Sequence, residues 1–406
     1  MSAGALAGVR IIDMTTVIMG PYATAMLADF GADVVKVEPL TGDMTRGVGA
    51  ARHPGMTAMT LSLQRNKRSI ALDVASEEGA AVLGDLIRSA DVVVTNLRPR
   101  SRSKLGLDPE KLLVANPRLV ICTAQAYGSE TDRRDEPAYD DIVQAASGFA
   151  MIGGLVDGRP AYTPSVIADK VSGLHIVIGI LAALQNRERT GRGQHVDVPM
   201  VDTMIAFNLV EHLAGHTFDP PAGSFGWHRV LVPERKPHRT ADGWICLMPY
   251  SHRNWRDFFQ IAGRPDLADD PRFATVDARH RHMGTLLTLV DTVTPTRTTA
   301  EWMDICAAHD IPASPLLDLS KVQEDDYVRS RPLLFERRDH PTEGAYFASR
   351  TPLTFSDSPI AEAGPAPQLG EQTAELLTEI GYSDTRIADL AESGVVARPA
   401  MKKARA

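Results

Sequence analysis

The sequence predicts an α/β protein: a large, doubly wound parallel-sheet domain, Rossmann-like in its alternation, with a smaller α+β domain beside it. Three observations carry this. Residues 9–13 (VRIID) read as a strand, a helix follows Gly20-Pro21 to about Phe30, and residues 33–38 (DVVKVE) read as the next strand. That is a βαβ unit, which implies a parallel sheet. Strand-like apolar runs then recur at residues 69–73, 91–96 and 119–124, with a helical pattern over 76–89. Finally, 406 residues are too many for one core, and the texture of the chain changes near Trp227. The expected boundaries are a large domain over 1–205, a linker over 206–228, a small domain over 229–335, and a linker with a C-terminal return to the large domain over 336–406.

Composition narrows the class. A chain with 44% hydrophobic and 23% charged residues reads as an ordinary soluble globular protein. A net charge of -8 argues against general nucleic-acid binding. Cys122, Cys246 and Cys306 lie far apart without CxxC spacing, so neither a disulfide framework nor a zinc site is implied. Cys122 and Cys246 sit in apolar runs and are expected to be buried thiols. The first residues lack the long apolar stretch of a signal peptide. No uncharged apolar run reaches about 18 residues. A cytoplasmic protein without a membrane partner is expected, and no metal site.

Within the large domain, ligands of a doubly wound sheet bind outside the carboxyl ends of the strands. That directs attention to the loop after the first strand, with Thr16, Val17, Ile18 and Met19. The loop has no GxGxxG, so a dinucleotide is not expected. Glu38, ending the second strand, reads either as a ribose contact or as a solvated strand end. Leu72, near the end of the strand at 69–73, joins the candidate set. After the strand at 91–96 come Asn96, Leu97 and Arg98, then Arg100, Arg102 and Lys104. These cations suit a phosphate-bearing ligand, or else a solvated basic loop. Residues 137–145, with Tyr139, open a further helix.

The most informative stretch is residues 164–202, PSVIADKVSGLHIVIGILAALQNRERTGRGQHVDVPMVD. Leu174, Ile178, Leu181 and Leu184 recur at helical spacing and are expected to face a core. Gly173, Gly179, Ala182 and Ala183 would admit a neighbouring backbone. The helix stops at Thr190-Gly191-Arg192-Gly193, where glycine supplies the C-cap, and residues 194–200 read as a short strand. Asp169 falls in the first turn. The helix dipole and free N–H groups there favour a carboxylate, which would keep Asp169 ionised as a nucleophile requires. The same position also suits a plain capping aspartate.

Beyond residue 202 a linker rich in Pro and Gly is expected through about Gly226. A strand over 244–249, helices over 255–262, 283–293 and 299–309, paired strands over 339–354 and a helix from about Ala366 to Ile380 follow. Arg229, Arg235, Lys236, His238 and Arg239 cluster before the turn at Thr240–Gly243. Such a group would pair with a second carboxylate on a substrate, or simply be solvated. The basic tail, with Arg398, Lys402, Lys403 and Arg405, is expected to be mobile.

The string ADxxSGxxxxxGILAALxxRxxTGxGQxVDVxMxD, as it stands from Ala168 to Asp202, resembles the signature of the class III CoA-transferases. So do DVVVTNLRPRSRSKLGL, the Tyr139-Asp140 pair followed by Gln144-Ala145-Ala146-Ser147-Gly148, and the PQLGEQT string before the last helices. The resemblance runs from about Val9 to Val396. It implies that Asp169 is the catalytic nucleophile. It also implies that the loops at Thr16–Met19, Leu72, Asn96–Arg98, Lys104 and Tyr139 contact coenzyme A. Leu97 replaces the family's usual aromatic residue and Lys104 its usual arginine. Coenzyme A and acyl-CoA would be substrates rather than a permanently bound cofactor, the other substrate a carboxylic acid, and the assembly an interlocked homodimer. The alternative activity is proton transfer of the 2-methylacyl-CoA racemase type. Those relatives carry a histidine where this chain has Tyr139, and a tyrosine is a poor base at neutral pH.

Overall fold

The computed structural model describes residues 4–331, 334–360, 362 and 364–397, so the basic tail beyond Ala397 lies outside the described residues. Within them, contacts divide the chain into two compact units. One takes the chain up to Ser147, Thr163–Ile205 and the part from Tyr327 onward. The other takes Gly148–Tyr162 and Ala206–Asp326.

The larger unit is built on a seven-stranded sheet. Six of its strands are β1 (Arg10–Met14), β2 (Asp33–Glu38), β3 (Lys67–Leu72), β4 (Val92–Thr95), β5 (Val120–Gln125) and β6 (His195–Pro199). From one edge the order is β3-β2-β1-β4-β5-β6, all parallel. The strands read as unbroken apolar runs because helices cover both faces: β4 and β5 are buried at every position. The chain winds from β1 toward β3 on one side and from β4 toward β6 on the other. The carboxyl ends of β1 and β4 therefore flank the topological switch point, where ligands of such sheets bind.

Two units of antiparallel structure complete the strands. In the smaller unit β7 (His238–Arg239), β8 (Trp244–Leu247) and β9 (Ala313–Pro315) form a sheet. In the larger unit β10 (Phe335–His340) and β11 (Gly344–Ser349) form a hairpin, and β12 (Val396–Ala397) adds antiparallel to β3 through Val396 and Leu72. The sheet is thus mixed at one edge.

The structure departs from the expectations at four places. The stretch expected to begin a linker opens instead with a helix, Met200–His212, whose first turn holds Asp202, favourable to the helix dipole. The helix Ile167–Thr190 buries Val171, Ile176, Val177, Ile180, Ala183 and Leu184. Leu174 and Ile178, expected in the core, are 43% and 60% exposed. The buried face is the one against the helix Met19–Asp29 and against β5 and β6. Gly173 permits that approach, since a Cβ there would stand 2.9 Å from the Met19 carbonyl. Cys246 is exposed, because β8 alternates and places it on the outer side. Glu38 is neither ribose contact nor solvated end: it is buried and paired with Arg46 Nε at 2.6 Å and Arg46 Nη2 at 2.7 Å.

By length and composition Ile167–Thr190 could cross a membrane, and it is the one such helix among the described residues. Half of that stretch is buried in the fold.

Beneath the switch point lies a buried cluster of charges. Asp13, Lys36 and Lys67 are wholly or nearly wholly buried. Asp13 accepts from Lys67 Nζ at 3.0 Å, Thr15 N at 2.9 Å and Thr24 Oγ1 at 2.6 Å. Lys36 donates to the Thr15 carbonyl and lies 3.3 Å from Asp43 and 3.8 Å from Asp13. Burial works to raise the Asp13 pKa, but the two ammonium groups and the hydroxyls of Thr15 and Thr24 outweigh it and hold the carboxyl well below its usual range. Burial pushes Lys67 down to about 8.

Candidate active site

At the carboxyl ends of β1, β4 and β5 the larger unit encloses a cavity of about 380 Å³. Its lining includes Thr16, Val17, Ile18, Met19, Asn96, Leu97, Arg98, Tyr139 and Asp169, which brings together most of the residues singled out from the sequence. Leu72 and Lys104 are not among them. Leu72 is wholly buried in the hydrophobic core and offers no side-chain surface to a ligand. Lys104 ends the helix Pro99–Lys104 and points to solvent. A second cavity, of about 1190 Å³, shares Gly42, Asp43 and Met44 with the first.

The loop after β1 is held from two sides. Asn96 donates to the Thr16 carbonyl at 2.9 Å and accepts from Thr16 N at 3.0 Å, so its amide mimics a strand partner. Asp43 accepts from Val17 N at 3.3 Å and is itself paired with Lys36. Between these clamps Val17 adopts φ +70°, a left-handed conformation that a β-branched residue resists by roughly 1–3 kcal/mol. At the start of the following helix, Gly20 packs against Thr15 so closely that a Cβ would overlap its side chain.

Asp169 reaches the cavity from the third residue of the helix Ile167–Thr190, whose N-cap, Val166, makes no side-chain cap bond. An aspartate from elsewhere supplies the missing acceptor: Asp140 Oδ2 accepts the Asp169 N–H at 3.0 Å. Asp140 is buried, and its other oxygen accepts from Gln144 Nε2 at 2.6 Å. Gln144 in turn accepts from Thr163 N at 3.0 Å. The side chains of one helix thus fix the segment that leads into the next. Asp140 is the site residue that sequence reasoning missed. It stands in the Tyr139-Asp140 string, but as an acidic residue in a first helical turn it gave no sign of accepting the Asp169 N–H.

The electrostatics reverse the sequence expectation. Burial, and secondly the Asp140 carboxylate, push Asp169 up to about 7. No side-chain hydrogen bond to the Asp169 carboxylate exists among the described residues, so the helix dipole faces the opposing effects of burial and Asp140 unaided. What results is a desolvated carboxylate without internal partners, poised to change protonation near neutral pH.

The basic residues are largely spoken for. Arg98 donates to the Asp135 carbonyl at 3.0 Å. Arg102 turns inward, is buried, and donates to Gln125 Oε1 at 2.7 Å. In the smaller unit, Lys236 and His238 share Asp291 at 3.1 and 2.8 Å. Arg229 lies over the rings of Trp227 and Tyr250, and Arg239 over Trp244. Four of the five residues of the expected carboxylate-binding cluster thus have partners within the smaller unit, and Arg235 is exposed.

Fold and site together define an α/β enzyme with a desolvated carboxylate at the strand-end cavity. The chain belongs to CoA-transferase family III, whose family model matches residues 6–373. It is 35% identical to the formyl-CoA:oxalate CoA-transferase of Rhodopseudomonas palustris (strain BisB18), over 97% of this chain and 98% of that protein. It is 34% identical to the succinate–glutarate CoA-transferase of Agrobacterium fabrum (strain C58), over 92% of this chain and 95% of that one. Among solved structures, Rv3272 of Mycobacterium tuberculosis superposes with a TM-score of 0.79 at 28% identity, covering 93% of this chain and all of the other. A CaiB/BaiF family protein from Brucella suis gives 0.78 at 27% identity, covering 94% and 100%. The resemblance drawn from the sequence strings is borne out, and the protein is a CoA-transferase.

The raised Asp169 pKa carries a stability signature. The folded state binds the proton more tightly than the unfolded chain, so the cost of the buried carboxylate is absent below about pH 4, grows up to about pH 7 and is fully present above it. At about 1.4 kcal/mol per pH unit, the displacement corresponds to on the order of 4 kcal/mol. Asp169→Asn removes that cost. Urea titrations should find the variant more stable than the parent at pH 8 and equal to it at pH 4. Equal midpoints at pH 8 would show that Asp169 is not desolvated in solution.

Proposed function

We propose that the enzyme moves CoA from an acyl-CoA donor to a carboxylic acid through an aspartyl-CoA thioester on Asp169. The observation that carries this reading is the Asp169 carboxylate itself, desolvated, without a side-chain partner, and facing a cavity at the switch point of the sheet. The relatives named for oxalate and for succinate and glutarate point to small carboxylic acids as the second substrate.

The steps balance without a net proton. The Asp169 carboxylate attacks the acyl-CoA carbonyl, forming a mixed anhydride and expelling CoA thiolate. The thiolate attacks the aspartyl carbonyl, forming aspartyl-CoA and releasing the donor acid as carboxylate. The acceptor carboxylate then attacks the aspartyl thioester, giving a second anhydride and thiolate. Attack of that thiolate on the acceptor's carbonyl yields the new acyl-CoA and restores Asp169. Each step develops charge on a carbonyl oxygen and calls for nearby hydrogen-bond donors.

In this reading the reacting end of the thioester occupies the cavity beside Asp169, along Thr16–Met19, Asn96–Arg98 and Tyr139. CoA is longer than that cavity, so its nucleotide half extends beyond it, past Lys104 at the end of the Pro99–Lys104 helix. The protein works as an interlocked homodimer. What supports an assembly is the exposed apolar row Leu174, Ile178 and Ala182 on the very helix that carries Asp169.

Three outcomes are expected. Hydroxylamine added to enzyme and acyl-CoA should convert the Asp169 peptide to a hydroxamate seen by mass spectrometry, and Asp169→Asn should give neither the adduct nor transfer. An asparagine variant that keeps more than a few per cent of the activity would rule out covalent catalysis. Lys104→Ala should raise the KM for acyl-CoA more than it lowers kcat, because a contact remote from the reacting carbonyl is mostly uniform binding; an unchanged KM removes Lys104 from the CoA path. Light scattering should show a dimer that becomes monomeric in the double variant Leu174→Glu, Ile178→Glu, and tagged and untagged dimers should exchange subunits only after unfolding. A monomeric parent protein would defeat the assembly.

A further inference from the structure

Gln125 ends β5 on the wall of the cavity that holds Asp169. It is 3% exposed. Its carboxamide orientation is dictated by a neighbour. Arg102, 5% exposed, donates from Nη1 to Gln125 Oε1 at 2.7 Å. A guanidinium has no acceptor, so the amide oxygen must face Arg102 and the NH2 group must face away from it. That NH2 group is buried and has no partner among the described residues.

Several other polar groups on the same lining are engaged, whereas the Asp169 carboxylate is not. Both halves of the Asn96 amide are spent on the Thr16 backbone. Asp43 is occupied by Lys36, Val17 N, and Thr45 N and Oγ1. Glu136 pairs with Arg133. Among the described residues, Gln125 Nε2 is the one buried side-chain N–H on this lining without a partner. Leaving a buried donor unpaired is unfavourable unless something arrives to use it. Arg102 deepens the point. It stands among cations that would serve an anionic ligand from solvent, yet it is drawn inside and committed to a neutral amide.

We propose that Gln125 is a substrate-recognition residue whose NH2 group donates to a carbonyl or carboxylate oxygen of the thioester substrate, with Arg102 as the positioning residue that aims it. The proposal rests on the reading of this cavity as the site of CoA transfer. The oxygen has two possible sources of the same chemistry: an amide carbonyl of the pantetheine arm, common to all CoA esters, or the acyl or acid oxygen that differs between substrates.

Gln125→Glu separates this from a structural role. The glutamate keeps an oxygen for Arg102 and replaces the donor by an acceptor; it also adds a negative charge, which the neutral Gln125→Met does not. We expect an unchanged melting temperature and a loss of roughly tenfold or more in kcat/KM. If the oxygen belongs to pantetheine, titration calorimetry will show weakened binding of free CoA and an equal loss for every acyl-CoA. If it belongs to the acyl group or acid, free CoA will bind as before and the loss will vary with the acid. Wild-type kcat/KM and CoA affinity in Gln125→Glu would overturn the assignment, leaving Gln125 as a mere prop for Arg102. Should the glutamate variant not fold, Gln125→Met is the second test, and wild-type kcat/KM there overturns it equally. Absence of CoA transfer by the unsubstituted enzyme overturns both this assignment and the proposed function. A fully active Gln125→Glu enzyme overturns this assignment alone.

Discussion

The buried cluster of Asp13, Lys36 and Lys67 is the constraint on which the site depends. Two ammonium groups share one carboxylate in the buried interior, and each is tied further to backbone or amide oxygens: Lys36 to the Thr15 carbonyl, Lys67 to the Pro21 carbonyl and to Gln64. Isolated buried charges of this kind are very costly, whereas a fully bonded set is tolerated and fixes a single geometry. The geometry it fixes is that of Thr15 and the residues after it. Asp43 extends the cluster to Val17, and Glu38 with Arg46 and Ser69 extends it along the next strands. The first loop of the sheet is therefore shaped from below, by the interior, before any ligand reaches it.

The second determinant is the meeting of two helix starts. Asp140 belongs to one, Asp169 to the other, and the two carboxylates approach because a single N–H links them. The same contact places a negative charge beside the Asp169 carboxylate, working with burial to weaken its acidity. Structure and chemistry are set by one hydrogen bond.

Much of the fold was legible because the central strands are buried on both faces and advertise it as unbroken apolar runs, as in VVVT and VICTAQ. The turn at Gly191 was legible from its glycines, and φ there is +74°. Other features were hidden for definite reasons. The helix Ile167–Thr190 is apolar on two faces, and periodicity cannot tell which face finds its partner in the same chain, so Leu174 and Ile178 were placed on the wrong side. The Pro- and Gly-rich stretch after residue 218 obscured the helix Met200–His212 before it. Lys236 and His238 were visible as part of a cluster, but their partner, Asp291, lies 53 residues beyond His238. Asp140 stands in a recognisable string with Tyr139, but nothing in the sequence tells that its carboxylate accepts the N–H of Asp169, 29 residues on. Side-chain partnerships across long separations are where pattern reading stopped.

The left-handed backbone of Val17 has one more consequence. A segment held against its own preference by neighbours returns to an ordinary conformation once those neighbours loosen, and it does so without disturbing the apolar core around it. Loss of the uncharged Asn96 clamp, which lies outside the buried ion cluster, would thus surface as an enzyme that melts normally, purifies normally and handles its substrate poorly. For such a variant, thermal stability is a blind assay, and the health of the protein has to be read from its chemistry.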